Sequence, residues 1–262
     1  MLGKLKWLVK PYVEKSVLFQ SLGQHLMVRY GLFLPHDADY LGLRHLNEHK
    51  NNLFLDIGAN QGTSALSFRC FDRQTPILSL EASELHLAAL ERLEKKDANF
   101  WFRIVACGAE AGELTFYTPT TGRFFTRLSL HTMTTTDLAT LRESIRDHFG
   151  GEFEEQVSYQ ETQTEVVTVD SLGVRPSIVK IDTEGAEYEV LKGARQTLMN
   201  EQPYILIEKN DSNFDSCLSL LSEISYEPCG YNHADDCFTL GSTQTRNIYF
   251  IPRKFLDKLP IA

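Results

Sequence analysis

Residues 53–62 have the sequence LFLDIGANQG, and the fold that we expect is built outward from this stretch. Leu53–Asp56 is a short apolar run typical of a buried strand, and Thr63–Phe71 beyond it has helical spacing. The glycines at positions 58 and 62 allow a tight turn between the two and let the backbone come close to a ligand. The stretch therefore predicts a strand, a ligand-binding loop and a helix in succession.

The chemistry of this loop favours a cationic ligand over a pyrophosphate. Its glycines are spaced GxxxG, not GxGxxG, and an acidic residue precedes the first of them. A carboxylate there would repel a pyrophosphate but suit an ammonium or sulfonium group, while N–H groups at the helix start would bind a polar or anionic one. We predict cofactor contacts from Asp56, Gly58, Ala59, Asn60 and Gly62. The alternative is a purely structural strand-to-helix turn.

A second carboxylate follows at the end of the next predicted strand, Ile77–Glu81. Glu81 lies 23 residues past Gly58. An acid at such a strand end accepts hydrogen bonds from both hydroxyls of an adenosine ribose, although an isolated one is more often merely solvated. Ala82, which follows Glu81, and Cys107, after the third predicted strand, are further candidate cofactor contacts.

The rest of the chain alternates short apolar runs with helical stretches, which predicts a doubly wound α/β sheet. The further predicted strands are Phe100–Val105, Glu113–Tyr117, Thr164–Val169, Ile178–Asp182, Tyr204–Glu208, Cys237–Leu240 and Asn247–Ile251. The further predicted helices are Ser83–Lys96, Asp137–Phe149, Glu187–Met199 and Phe214–Ile224. In the first of these helices, Leu85, Ala88, Ala89 and Leu93 share the face expected to point inward.

Residues 179–187, VKIDTEGAE, place three acids beside the glycine loop. Asp182 ends a strand, and the carboxyl ends of such strands bind ligands in α/β sheets. Glu184 and Glu187 would be neighbours if a helix starts at Thr183 or Glu184, and both would favour its positive end. Helix capping can explain one of these acids but not the convergence of three.

The segment VKIDTEGAEYEVLKGA, with FLDIGANQG before it and YILIEKN after it, resembles the FkbM family of S-adenosylmethionine-dependent methyltransferases. The preceding EVVTVDSLG and the terminal NIYFIPR fit the same pattern, and the resemblance covers about residues 50–252. It implies a class I, Rossmann-like methyltransferase fold, with seven strands, the last antiparallel, and helices on both faces. It also implies O-methylation of hydroxyls on sugars, polyketides or other small molecules. In the family pattern Asp56, Gly58 and Gly62 form the cofactor loop, Glu81 is the ribose acid, and Asp182, Glu184 and Glu187 are signature acids.

Methyl transfer to a hydroxyl needs a group that accepts the hydroxyl proton. Asp182 is the first candidate, either as that base or by holding the hydroxyl, and it is also a candidate cofactor contact. Glu184 and Glu208 follow, and His131 and His233 are the best histidine candidates. Asp182, Glu184 and Glu208 could instead gather a Mg²⁺-like cation, but the same acids serve capping and substrate binding, so we expect no metal.

Two regions lie outside the repeating pattern, and substrate choice is expected there. Residues 1–49 are predicted to be a helical extension, and residues 50–262 a methyltransferase domain with an insertion at about 118–157. The insertion is rich in Thr, Ser and aromatic residues and could be a lid or an acceptor-binding element, with Phe124, Phe125 and His131 as acceptor contacts. The alternative is a structural hairpin and helix.

Charge and composition narrow the class of partner. The 262 residues carry a net charge of −9, which argues against nucleic-acid binding. Residues 1–31 instead carry five basic residues against one acidic, and their lysines at 4, 6 and 10 alternate with Leu5, Trp7 and Leu8. We expect this segment to pack on the domain, with contact to an anionic membrane surface as the alternative.

The remaining expectations follow from cysteine usage and hydrophobic run lengths. The five cysteines form no CxxC pair, and no run approaches 18 apolar residues, so we expect a cytoplasmic protein without disulfides, a zinc site or a spanning helix. The acceptor is expected to be a small molecule or glycan; the sequence predicts no oligomeric state. The competing functions are a nucleotide-dependent oxidoreductase, which would be expected to show GxGxxG, and a cofactor-binding module without turnover.

Overall fold

The computed structural model describes residues 35–46, 53–120 and 136–262. Its strands, numbered in chain order, are β1 Leu53–Ile57, β2 Ile77–Glu81, β3 Phe100–Ile104, β4 Ala106–Cys107, β5 Gly112–Thr120, β6 Ser158–Val167, β7 Pro176–Ile181, β8 Tyr204–Glu208, β9 Tyr226–Asn232, β10 Cys237–Leu240 and β11 Asn247–Pro252. Its α-helices are α1 Thr63–Arg69, α2 Leu87–Glu94, α3 Leu138–Phe149, α4 Gly151–Glu154, α5 Glu187–Gly193, α6 Arg195–Glu201 and α7 Phe214–Glu223.

Among the described residues, eight strands form the main sheet, in the order β10-β9-β11-β8-β7-β1-β2-β3. Strands β3, β2, β1, β7 and β8 run parallel, and β11 enters antiparallel between β8 and β9. The α/β class, the doubly wound order and the antiparallel last strand are therefore confirmed. The expected count of seven is one too low, because Cys237–Leu240 extends the edge as a hairpin partner of β9.

Helices cover both faces of this sheet, as β1 shows by its alternating side chains. Leu55 and Ile57 belong to a core that includes Val190 of α5 and Leu221 of α7. On the opposite face the ring of Phe54 stacks on Phe68 of α1, with centroids 4.4 Å apart. Burial on both faces is what makes the central parallel strands continuous apolar runs.

Three local predictions need correction. Strand β7 ends at Ile181, so Asp182 lies just beyond it, and the predicted helix 187–199 is two helices that meet at Ala194. On the predicted helix 83–96, Leu90 and Leu93 are the buried leucines, whereas Leu85 is 45% exposed. A short 3-10 helix occupies Glu84–His86 before α2 begins, and this change of winding rotates the inward face.

The chain divides into two compact units, of which the larger comprises residues 33–113 and 164–262. Its first described element is a 3-10 helix, Asp39–His45, within the region predicted as a helical extension. The carboxylate of Asp39 accepts a hydrogen bond from the Asn247 N–H at 3.0 Å, and the Tyr249 hydroxyl donates to the Asp39 carbonyl at 2.7 Å. These buried bonds hold the 3-10 helix against β11. Residues 1–34, with the basic segment and its lysines, lie outside the description.

The smaller unit is described over residues 114–120 and 136–163, which contain the described part of the predicted insertion, about 118–157, and extend beyond it at both ends. Helix α3 begins where Asp137, the first residue of the predicted helix, is instead its N-cap and accepts hydrogen bonds from the N–H groups of Ala139 and Thr140. Leu141, Ile145 and Val157 form its own small hydrophobic cluster. The proposed acceptor contacts Phe124, Phe125 and His131 lie outside the described residues.

No helix in the described part of the chain is long and apolar enough to cross a membrane.

Candidate active site

The glycine loop is shaped by left-handed backbone at Gly58 and Gly62, with φ of 76° and 83°. A Cβ added to Gly58 would lie 1.7 Å from the carbonyl oxygen of Asp182, and one on Gly62 would lie 2.2 Å from a methyl of Leu93. Both glycines are therefore required by close packing inside the protein, in addition to any approach by a ligand. Ala59 between them is fully buried, and its N–H donates to the Leu80 carbonyl at 3.1 Å.

Among the described residues, two backbone N–H groups hold the carboxylate of Glu81 at the end of β2. Its Oε2 accepts the Asn60 N–H at 2.7 Å and its Oε1 accepts the Ser83 N–H at 2.8 Å. Each carboxylate oxygen has two acceptor positions, so each retains one for a ligand hydroxyl. Ala82 lies between these two contacts, and its carbonyl accepts the Thr164 hydroxyl at 3.0 Å. The loop and the predicted ribose acid are thus joined through Asn60.

Asp56 lies beneath the loop and is fully buried. Strand register places it between Ser79 and Lys180 on one face of the sheet, and Ser79 donates to its Oδ2 at 2.9 Å. Burial raises the pKa of Asp56, and Lys180 and Ser79 oppose that rise. Its charge is directed at Lys180, so the residue supports the loop from below in this conformation instead of facing a cationic ligand directly.

Lys180 connects the glycine loop with Asp182, and it was not identified as a site residue from the sequence. Its side chain is 2% exposed, and Nζ lies 3.3 Å from Asp182 Oδ2 and 3.5 Å from Asp56 Oδ1. Nζ also donates to the Gly58 carbonyl at 2.7 Å. Burial lowers the pKa of this amine, but Asp182 and then Asp56 outweigh it, so the pKa is raised and Lys180 is a cation. A lysine in the otherwise apolar strand PSIVKI, two positions before an acid, was the available signal.

Asp182 and Glu208 form a carboxyl pair at the ends of neighbouring strands β7 and β8. Burial raises the pKa of Glu208 to about 7, helped by the charge of Asp182, to which Glu208 donates a hydrogen bond. Burial acts upward on Asp182 too, but Lys180 and the Glu208 hydrogen bond outweigh it and lower its pKa. Arg246, just before β11, contacts Glu208 through both Nε and a terminal guanidinium nitrogen. The two carboxyl groups thus share one proton, and a cation contacts each of them: Lys180 at Asp182 and Arg246 at Glu208.

Glu184 and Glu187 have different positions from those that the sequence predicted. Helix α5 begins only at Glu187, so the two are not neighbours on a helix. Glu187 is buried, and its Oε1 accepts the N–H groups of Thr183 and Gly185, each at 3.0 Å. It is therefore the acid with the structural role. Glu184 reaches solvent and has a left-handed φ of 54°. The protein around its carboxyl group, followed by the negative charge of Asp182, raises its pKa.

The remaining predicted residues lie farther from these acids. Cys107 is buried in the apolar core, and burial raises the pKa of its thiol to about 12. Val105, two residues before Cys107, donates its N–H to the Glu81 carbonyl. Cys107 therefore lies only two residues along the chain from a residue that is hydrogen-bonded to Glu81. His233 lies exposed in the turn between β9 and β10.

A different histidine, His36, lies near enough to Asp182 for their charges to interact, and no periodic pattern in the sequence indicated it. Its Nδ1 is 2.7 Å from the Ser67 hydroxyl, and its ring meets Tyr40 edge-on with centroids 4.5 Å apart. Part of the ring is open to solvent, but surrounding protein lowers the pKa of His36 to about 4, with the charges of Asp182 and Lys180 also acting on it. His36 is therefore a neutral hydrogen-bonding group.

The described residues contain no group of three or more His, Cys, Asp or Glu side chains arranged to hold a metal ion. The alternative of a Mg²⁺-like site at Asp182, Glu184 and Glu208 therefore has no geometric support. Lys180 and Arg246 already occupy the cationic positions around this pair.

Comparisons with known proteins bear on the family and the fold. The model of the Methyltransferase FkbM domain matches residues 56–232, and no curated protein matches the chain. A solved FkbM methyltransferase from Methylobacillus flagellatus KT is 15% identical, with a TM-score of 0.51; the match covers 89% of this chain and 53% of that one. This chain thus spans about half the length of that structure, and the likeness supports the fold.

Two other solved methyltransferases are more distantly similar. Precorrin-6y C5,15-methyltransferase from Geobacter metallireducens GS-15 is 13% identical, covering 80% of this chain and 83% of that one, with a TM-score of 0.40. Fibrillarin from Aeropyrum pernix, solved with S-adenosyl-L-methionine, is 13% identical, covering 80% and 71%, with a TM-score of 0.39. Because the family model matches more than half of the chain, this protein belongs to the FkbM methyltransferase family, as its motifs predict, and S-adenosylmethionine is the cofactor that this membership supports.

Proposed function

We propose that this protein is an S-adenosylmethionine-dependent O-methyltransferase that acts on a hydroxyl of a sugar, a glycan or another small natural product. Family membership supports methyl transfer, and the carboxyl pair at the ends of β7 and β8 supports a hydroxyl acceptor. An alcohol reacts poorly with an electrophile until a base accepts its proton. The carboxyl pair is the observation that carries the proposal.

The residues around the loop fit the cofactor by their chemistry. The two free acceptor positions on Glu81 suit the pair of ribose hydroxyls. Ala82 is partly exposed next to Glu81, whereas Cys107 is buried, and the charge of Asp182 would favour the sulfonium group, which the demethylated product lacks. When bound, S-adenosylmethionine supplies an electrophilic methyl group. What this chain contributes is position, charge and a place for the proton.

Asp182 is the member of the pair that accepts the hydroxyl proton. It is held ionised by Lys180, it is 28% exposed, and it stands at the carboxyl end of the strand beside β1. Glu208, whose side chain is 20% exposed and bound by Arg246, sets how strongly Asp182 attracts a proton. While Glu208 is protonated, it donates to Asp182 and weakens it as a base.

This arrangement gives the reaction a pH dependence with a defined sign. As the pH rises through about 7, Glu208 loses its proton and Asp182 loses a hydrogen-bond donor. The pair then holds two negative charges, which makes it a stronger proton acceptor. The rate should therefore rise across this range and level off above it.

Transfer of a labelled methyl group tests the proposal. The purified protein is incubated with labelled S-adenosylmethionine and a panel of sugars, glycans and polyketides, and a parallel titration offers NAD. We expect label in an alkali-stable ether of one hydroxyl compound and no response to NAD. Binding of NAD in place of S-adenosylmethionine, or label only in an amine or thiol, would overturn it.

A further inference from the structure

Lys180 is the only lysine or arginine that is buried among the described residues. A buried cation is costly unless partners compensate it, and an apolar side chain of similar length fills such a site at lower cost. Folding alone therefore does not account for a buried lysine at the second-to-last position of β7. The reason has to lie in what the ammonium group contacts.

Its contacts connect two functional elements rather than closing one ion pair. Nζ donates to the Gly58 carbonyl of the glycine loop at 2.7 Å and lies closer to Asp182, at 3.3 Å, than to Asp56, at 3.5 Å. The Oδ1 atom of Asp56 accepts no hydrogen bond within the described residues, so Asp56 acts on Lys180 through its charge. The two shortest contacts of the Lys180 Nζ are therefore those with the Gly58 carbonyl and with Asp182.

We propose that Lys180 is a positioning residue, which keeps Asp182 the ionised member of the carboxyl pair and ties it to the glycine loop through the Gly58 carbonyl. The inference rests on the proposed function, since it assigns a role in the same site. Asp56 has the opposite influence, because its negative charge behind Lys180 offsets part of the cation. Lys180 and Asp56 should therefore shift the titration of the pair in opposite directions.

The charged and titratable groups that face the pair come from every element around it. They are His36 and Tyr40 from the N-terminal segment, Asp56 from β1, Lys180 from β7, Glu184 from the loop after β7, and Arg246 before β11. Lys180 and Arg246 are the two cations of this set at neutral pH, and Lys180 is the one in contact with Asp182.

Carboxyl-labelled protein without cofactor provides a readout that does not depend on activity. In the wild type, carbon NMR should show one glutamate carboxyl that titrates near pH 7 and disappears in Glu208→Gln, which assigns it. In Lys180→Met the midpoint should move upward by about one pH unit or more, because the cation in contact with Asp182 is gone and the pair then holds a second negative charge less readily. In Asp56→Asn it should move downward. The matched control Lys192→Met removes an exposed lysine from α5 and should leave the midpoint unchanged.

A second variant guards against the possibility that Lys180→Met does not fold, since it leaves Asp56 buried without its cation. Asp56→Asn with Lys180→Met removes both charges, so stability should return toward wild type. The midpoint should still move upward, though less than in the single variant, because Lys180 contacts Asp182 directly, at 3.3 Å.

A midpoint that stays within about 0.2 pH units of wild type in the folded double variant would overturn the inference. So would the same direction of movement in Lys180→Met and Asp56→Asn, since that would indicate general loosening of the site. Absence of methyl transfer combined with the predicted opposite movements would instead contradict the proposed function and leave the role of Lys180 intact.

Discussion

The carboxyl ends of β2 and β7–β8 both present acids to the same edge of the sheet, but they hold them in different ways. Glu81 at the end of β2 is fixed by two backbone N–H groups, at 2.7 and 2.8 Å. Asp182 and Glu208 at the ends of β7 and β8 are fixed by each other and by two side-chain cations, Lys180 and Arg246.

The difference teaches what each end can do. Backbone donors hold Glu81 in one orientation and leave acceptor positions for ligand hydroxyls, which suits binding. A pair of carboxyls that shares a proton between two side-chain cations can change its charge near neutral pH, which suits proton transfer. We therefore assign the β2 end to the cofactor and the β7–β8 end to the reaction.

We expect the largest loss of stability from Gly58→Ala, because Gly58 lies between the β2 end and the β7–β8 end. The new Cβ would meet the Asp182 carbonyl oxygen at 1.7 Å in a backbone with φ of 76°. We expect a loss of more than about 3 kcal/mol of unfolding free energy, measured by urea denaturation.

Gly241→Ala is the matched control, since its φ is 75° and no atom lies within 4 Å of the added Cβ. It should lose only the cost of the left-handed backbone, about 1–2 kcal/mol. Equal losses in the two variants would show that the close approach to Asp182 has no energetic weight.

Asp182→Asn is expected to affect only the β7–β8 end, which we assign to the reaction. It keeps the side-chain shape and removes the proton acceptor, so turnover should fall by about 10²–10⁴. The rate with saturating S-adenosylmethionine and the true acceptor measures this, with Asp215→Asn on the exposed start of α7 as the control. If turnover stays near wild type, the base lies elsewhere, and Glu208 is the next candidate.

Glu208→Gln tests the comparison through the pH dependence of stability and of rate. The pKa of Glu208 is raised in the folded protein, so the bound proton stabilises the fold below the ordinary pKa of 4.5, and this contribution is lost as the pH rises to about 7. Glutamine always donates to Asp182, like the protonated acid. The variant should therefore lose less stability than wild type between pH 5 and 8, and its rate should not rise through pH 7. Parallel unfolding and rate profiles for the two proteins would contradict this.

The smallest effect is expected from Glu184→Gln. This residue is exposed and follows Asp182 in a loop, so the variant should keep its melting temperature while acceptor affinity or rate falls a few-fold. Glu187→Gln, three positions on, should lower the melting temperature because the buried Glu187 Oε1 holds two loop N–H groups. The opposite ranking of the two would reverse their roles.

The sequence predicted those parts of the fold that are determined by a local pattern within one strand or loop. Apolar runs located β1, β2, β7 and β8, and the glycine spacing identified the loop. Strand β9 was missed because Pro228 and Gly230 interrupt its pattern, and it is recognisable only through its pairing with β11. The division of α5 from α6 at Ala194 was missed for the same kind of reason, since the apolar spacing continues across it.

Roles that depend on contacts between strands were the harder part of the site. The paired charges of Asp56 and Lys180 result from the register of β1 against β7, which no local pattern specifies. Arg246 is 38 residues from Glu208 along the chain. His36 meets the site only because the 3-10 helix Asp39–His45 packs beside β11. The acids were visible in the sequence, but the cations that set their protonation were not.

Calorimetric titration with the demethylated product, S-adenosylhomocysteine, tests the central claim most directly when Glu81→Gln and Asp182→Asn are compared with wild type. The account predicts that wild type binds, that Glu81→Gln binds about 10-fold or more weakly because it loses charged hydrogen-bond acceptors, and that Asp182→Asn binds within a few-fold of wild type. An Asp182→Asn variant that loses as much affinity as Glu81→Gln, or a wild-type protein that does not bind, would contradict the division of the sheet edge into a binding end and a reacting end.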